Sequence, residues 1–401
     1  MKSLANEVQI TSRELHAFLE YAATFLSSLG NYYGSGDQKF VPDVSAESLK
    51  KLAAKSPKLK VLYSEIAEPI LATPPFSLGY PGDLAQSAYY PGLHIISKEE
   101  IALVSQALEG WSIFPENTRI RKVESAGTTV FEVLQASVEE DEICQEFPLP
   151  DSKGVVRICR GDHSGELALV CSSLATASKH AANETQKEFL AHYIEIFRTG
   201  SLHAYRDSQR IWITDKAPLV ENISGFVEPY RDPYGTRAEF EGLVAISDIE
   251  ETKALTRLVE NSATFIKRLS WAEGAGVDDG KGSFEKTLFE PPDFTSIHIL
   301  VYCSSIIFPG INLPNCNNIR QECGSKNVII SNRMSAESKK GDLCPFIDES
   351  EAETFQKHKY PAYYWWVVLH ELPGHGTSKM MVKRVNTSTI STKPWYMPRQ
   401  T

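Results

Sequence analysis

The sequence predicts a mixed α+β chain. Three observations lead there: apolar residues recur at helical spacing in some stretches, alternating β-branched runs fill others, and Gly- and Pro-rich segments separate the two. Residues 11–30 read as an amphipathic helix. Thr11 and Glu14 have capping-box spacing, Leu15, Phe18, Leu19, Ala22, Phe25, Leu26 and Leu29 form one stripe, and Gly30 suits the stop. GNYYGSGDQKFVP follows as a turn segment. Its glycines match neither GxGxxG nor GxxxxGK[ST], so no phosphate cradle is expected. A second capped helix begins at Ser97, with Glu100 three residues on.

TRIRKVES, TTVFEVLQASV and GVVRICRG, within 117–170, read as strands. A long helical region spans about 168–206. Residues 209–247 mix strand-like RIWIT and FEGLVAI around a turn-rich EPYRDPYGTR, and 250–270 read as helix. Residues 272–293 are Gly-rich and acidic and read as a loop. A buried strand is expected over 294–301, and the prolines of PGINLPN exclude helix after it. Pro361 suits the first turn of a helix, and the apolar run Tyr363–His370 reads as a buried one.

The chain has 401 residues, enough for two domains or one large one. Nothing approaches a continuous apolar run of about eighteen residues, so no membrane partner is expected. The leading MKSLANEVQITSREL lacks an apolar h-region, so a secretory signal is not expected either. Seven cysteines (144, 159, 171, 303, 316, 323 and 344) have no CxxC spacing, which predicts reduced thiols in a cytosolic setting. A net charge of −10 argues against a nucleic-acid partner.

The chemistry concentrates in VVLHELPGHGTSK (367–379). His370 and His375 are two candidate metal ligands. Glu371, beside the first, is placed to take a proton from a metal-held water. Residues five apart do not share a helix face, so the extra residue must be absorbed, most simply by a π-type bulge. Pro373 removes a helical N–H, and Gly374 adds backbone freedom. On spacing alone, a pair of hydrogen-bonded helix histidines competes with a metal site.

HELPGH resembles the zinc signature of the dipeptidyl peptidase III family. So do GNYYGSGDQKFVP (30–42), DSQRIWITDKAPLVENISGFVEPYRDPYGTRAEFEGLVA (207–245), PDFTSIHIL (292–300) and PGINLPNCNNIRQ (309–321), in matching order. The resemblance implies a two-lobed cytosolic zinc exopeptidase that removes N-terminal dipeptides from oligopeptides. Carried over residue by residue, His370 and His375 hold zinc and Glu371 is the general base. Glu228 would hold the substrate ammonium, Asn312 and Asn315 would complete that anchor, and Tyr230 would donate to the developing oxyanion. Strand 301–307 would align the peptide. A β-rich lower lobe is expected over 1–247 and 296–341, and part of a helical, zinc-bearing upper lobe over 248–295 and 342–401. Without the resemblance, Glu228 reads as a turn carboxylate paired with Arg231 or Arg237, Tyr230 as a packed aromatic, and the asparagines as turn formers.

The chain also departs from the family pattern. The third zinc ligand there is a Glu from a second motif beyond the histidines, whereas the 26 residues after His375 contain no Asp, Glu, His or Cys. The alternative expectation is therefore a catalytically impaired peptide-binding chain. Pro373 within the motif, HGTSK after it, and the absence of the family's glycines from SSIIFPG (304–310) are further departures. An exposed apolar patch over Tyr363–Leu369 is also expected.

Overall fold

Sheet pairing organises the chain around three main cores. The computed structural model describes residues 6–28, 30–32, 38–73, 77–83, 85–125, 127–150, 153–266, 293–338 and 344–375. The expected loop at 272–293 lies almost wholly outside them, as does the tail after His375. Helix α1 (Ser12–Ser28) starts on the predicted box: Glu14 N–H donates to Thr11 Oγ1 at 3.1 Å, and Thr11 N–H to Glu14 Oε2 at 3.2 Å. Helices α2 (Ala46–Ala53) and α3 (Pro57–Leu71), each capped by a serine, follow. Two short paired strands, β1 (Ser77–Leu78) and β2 (Ala85–Gln86), precede α4 (Lys98–Gly110). The Ser97–Glu100 capping box holds the start of α4.

The first larger sheet has the order β3-β4-β6-β5, from β3 (Thr118–Ser125), β4 (Thr128–Ala136), β5 (Gln145–Pro148) and β6 (Val155–Asp162). Its inner residues Ile120, Phe131, Val133 and Val156 pack with Ile101, Val104 and Leu108 of α4. Alternation at period two made these strands readable. Cys144, just before β5, is disulfide-bonded to Cys159 of β6, with Cα atoms 4.9 Å apart. This corrects the expectation that all the thiols are reduced. The antiparallel pairing of β5 with β6 brings together two cysteines whose sequence spacing carried no signal.

The single helical region expected at 168–206 is three helices: α5 (Ser164–Ser178), α6 (Glu184–Thr199) and α7 (Leu202–Trp212). Asn183 caps α6, accepting from Gln186 N–H at 2.7 Å, and Gly200 ends it with φ +79°, a conformation that glycine adopts without a Cβ penalty. RIWIT is not a strand. Its first three residues finish α7, because Tyr205, Ser208, Gln209 and Trp212 share the buried helical face. Period 3.6 prevails there over the β propensity of Ile and Trp.

The second sheet has the order β10-β11-β9-β8-β7, from β7 (Val220–Glu228), β8 (Glu239–Ser247), β9 (Asp293–Cys303), β10 (Gly310–Leu313) and β11 (Lys326–Ile330). β9 and β11 run parallel, and the other neighbours are antiparallel. On one face, Ile223, Leu243, Ile297 and Val328 pack with Phe189, Tyr193 and Phe197 of α6 and Trp212 of α7. The third core joins Phe294 of β9 and Ile329 of β11 to Leu255 of α8 (Ile249–Glu260), Met334, Val367, Val368 and Leu372. The remaining helices are α9 (Ser262–Ile266), α10 (Asn317–Cys323), α11 (Ser331–Ser338) and α12 (Ala352–Leu369).

Pro361 sits inside α12 rather than in its first turn. The helix starts nine residues earlier, and the carbonyl of Lys357 goes without the N–H that proline lacks. Nor is the Tyr363–His370 run wholly buried. Val367 and Val368 face the core, while Trp365, Trp366 and Leu369 face outward as the expected apolar patch. Among the described residues no helix is long and apolar enough to cross a membrane.

Candidate active site

The motif His370–His375 folds as one π-helical turn that continues α12. The extra residue between the histidines is absorbed as the spacing predicts. The two imidazoles converge, with Nε2 atoms 3.1 Å apart and ring planes at 84°. Two nitrogens bound to one tetrahedral zinc ion at about 2.0–2.1 Å would stand about 3.3 Å apart, so this pair fits a shared metal ion. Among the described residues, His370, Glu371 and His375 form the only close group of three metal-type side chains.

Val367, Val368 and Leu372 are buried and anchor the turn to the sheet, while both histidines remain exposed. Glu371 is buried. Its Oε2 has no hydrogen-bond partner among the described residues, and its Oε1 lies against Gly310, where an added Cβ would stand only 2.9 Å away. Burial pushes the Glu371 carboxyl up to about 7, against the pull of Arg320. A carboxylate so placed holds a proton loosely near neutrality. Burial, His370 and Arg320 each lower the pKa of His375, which favours the neutral, ligating imidazole. The ring of Trp366 stacks on His370 at 5.7 Å, and Tyr363 stacks on Trp366 at 6.2 Å.

The other sequence-predicted residues gather at the far end of β7. Glu228 is 8% exposed. Burial raises its pKa, while hydrogen bonds donated by Asn315 and Tyr230 lower it. The cations suggested by sequence go elsewhere: Arg237 faces Asp232 at 3.9 Å, and Arg231 Nε donates to Ser305 Oγ at 3.0 Å. Asp232 fixes the turn between β7 and β8 by accepting from the N–H groups of Tyr234, Thr236 and Arg237 and from Tyr90 Oη at 2.5 Å. Tyr230 is half exposed, packs edge-on against Phe308, and feels the charge of Glu371.

Asn312 lies on β10, close to this cluster in sequence, but its amide is engaged differently. Its Oδ1 accepts from Arg320 Nη1, and its Nδ2 donates to Asn327 Oδ1 and to Ser325 Oγ. The strand expected over 301–307 ends early. Residues 301–303 complete β9, which is hydrogen-bonded to β8, and β10 is the strand at the sheet edge. Among the described residues β10 pairs only with β11, so it is an edge strand of the sheet. Sequence reasoning missed Glu239 and Glu241 behind Glu228, and Arg320 and Asn327 behind Asn312. Glu241 is buried, accepts from Tyr302 Oη at 3.2 Å, and is pushed up to about 8 by burial and by Glu228. Its alternation with Glu239 on β8 was the available signal.

A convergent histidine pair with an adjacent buried carboxylate can hold a metal ion and take up a proton beside it. Comparison with known proteins makes the assignment specific. The model of peptidase family M49 matches residues 62–393, and the chain belongs to that family. It is 34% identical to dipeptidyl peptidase 3 of Nematostella vectensis over 96% of this chain and 54% of that protein. It is 35% identical to the Dictyostelium discoideum protein of that name and 34% to the human one, in each case over 52% of the relative. The chain thus spans about half the length of the curated relatives it matches. The solved structure of DPP III from Caldithrix abyssi shares the fold at a TM-score of 0.55 and 15% identity, over 90% of this chain and 64% of that one. The dipeptidyl-peptidase III from Corallococcus sp. strain EGB does so at 0.54 and 19%, over 88% and 53%. The chain has the mixed α+β fold of these two-lobed proteins.

Proposed function

We propose that this chain acts as a zinc-dependent exopeptidase that releases dipeptides from the N-termini of oligopeptides in the cytoplasm. The observation that carries the reading is the convergence of His370 and His375 in one π turn, with Nε2 atoms 3.1 Å apart. The relatives named dipeptidyl peptidase 3 support the same activity. In this reading Glu228, held by Asn315 and Tyr230, takes the peptide ammonium as a charge-assisted hydrogen bond. The outer edge of β10 aligns the peptide backbone, with Asn312 behind it. Glu371 accepts the proton of the attacking water, and Tyr230, released from Glu228 once the peptide ammonium takes that carboxylate, donates to the oxyanion. A zinc ion held by His370 and His375 supplies Lewis-acid polarisation and a more acidic water. Residues 1–247 with 296–341 would form the peptide-anchoring lobe, and 248–295 with 342–401 would belong to the lobe that carries the histidines.

A second reading has its own support. The described donor cluster holds two imidazoles and the proposed base, with no further ligand. A chain so equipped would bind peptides through Glu228 and Asn315 with weak metal affinity. Zinc content per chain after dialysis separates the two, with His370→Ala and Glu371→Gln as controls. Near one zinc, lost in His370→Ala and kept in Glu371→Gln, supports the enzyme. Folded protein without zinc leaves the peptide-binding reading.

A further inference from the structure

In the histidine turn two backbone carbonyls meet side-chain donors from β11 and from α10. The buried Asn327 donates Nδ2 to the carbonyl of Glu371 at 3.1 Å. Arg320 directs Nη2 at the carbonyl of His375, at 3.5 Å, while its Nη1 donates to Asn312 Oδ1. Asn312 returns the connection through Nδ2 to Asn327 Oδ1, and the two residues are register partners on β10 and β11. The result is a closed ring: Glu371 carbonyl, Asn327, Asn312, Arg320, His375 carbonyl, and back through the turn.

We propose that Arg320 and Asn327 are positioning residues that clamp both ends of the histidine turn to the peptide-anchoring strand, so that anchor and metal site shift together. This rests on the reading of His370 and His375 as metal ligands. The chemistry favours arginine at this place. One planar fork serves two acceptors at once. Lysine keeps the charge but not the fork.

Affinity for Zn²⁺ alone, measured by competition with a chromophoric chelator, tests the clamp. Loss of groups that orient metal ligands typically weakens binding by about 10–100-fold. Arg320→Met and Asn327→Leu should fall in that range while circular dichroism stays native, and Arg320→Lys should recover only part of the loss. Asn312→Ala is the more specific probe. Among the described residues Asn312 makes no hydrogen bond to the turn, yet its loss should weaken zinc several-fold through Arg320. Wild-type affinity in Arg320→Met and Asn312→Ala would overturn the clamp and leave the zinc assignment standing. If the wild type itself takes no zinc, the proposed function fails instead. The clamp is then read by hydrogen exchange of the amides over 370–375: faster exchange in Arg320→Lys supports it, and unchanged exchange refutes it.

Discussion

Strand β7 buries a carboxylate near each end, and the two are treated differently. Glu221, at one end, meets the ammonium of Lys326 at 2.8 Å, the indole N–H of Trp212 at 2.8 Å and the N–H of Asn222 at 3.1 Å. Lys326 also donates to the carbonyl of Asp215 at 2.8 Å and lies over the Trp212 ring. Glu228, at the other end, receives neutral donors from Asn315 and Tyr230 and has Glu239 and Glu241 as neighbours. Burial raises the pKa of both. Only Glu221 has that cost offset by a fixed cation. A buried ion pair closed on all sides holds strands together, whereas a buried carboxylate facing neutral donors and like charges suits an incoming cation.

The largest effect should come from breaking the closed end. Lys326→Met leaves Glu221 without its cation and should cost about 3–5 kcal/mol by urea unfolding at pH 7. The double variant Lys326→Met/Glu221→Leu should recover most of it. A single variant as stable as wild type would erase the distinction between the two ends.

Next in size is Glu228→Gln, tested by peptide binding. Affinity for a tetrapeptide with a free amino terminus should fall by about 10–100-fold, the worth of a hydrogen bond to a charged group. Affinity for the N-acetylated peptide should stay constant. Equal losses for both peptides would mean that Glu228 shapes the pocket without meeting an ammonium.

A pH effect concerns Glu241, whose folded pKa of about 8 lies above its ordinary 4.5. Below pH 4.5 the carboxyl is protonated both folded and unfolded, and its contribution is complete. Between 4.5 and about 8 the folded state holds the proton more tightly, so that stability is lost progressively as pH rises through the folded value. Wild type should therefore lose more stability between pH 5 and pH 9 than Glu241→Gln. Parallel pH profiles would show that Glu241 ionises freely.

Much of this was legible where the information is local. The boxes Thr11–Glu14 and Ser97–Glu100, and the bulge that HELPGH demands, involve residues three to five apart. Glu228, Asn315 and Tyr230 were legible only by resemblance, because nothing in EPYRDPYGTR or INLPN says that they meet. Lys326 and Glu221 are 105 residues apart, and Asn327 and Glu371 are 44 apart. Their pairing depends on sheet order, which no periodicity encodes. The misread RIWIT shows the opposite failure, with local propensity trusted over the face that α7 presents to its core.

The indole of Trp366 is 62% exposed and lies nearly parallel to the His370 ring. Tryptophan emission responds to the electronic state of whatever it stacks upon, and a protonated imidazole quenches it. The histidine turn therefore comes with its own optical reporter. The part of the emission that a Trp366→Phe control removes, out of the chain's six tryptophans, should follow events at this turn without an added label.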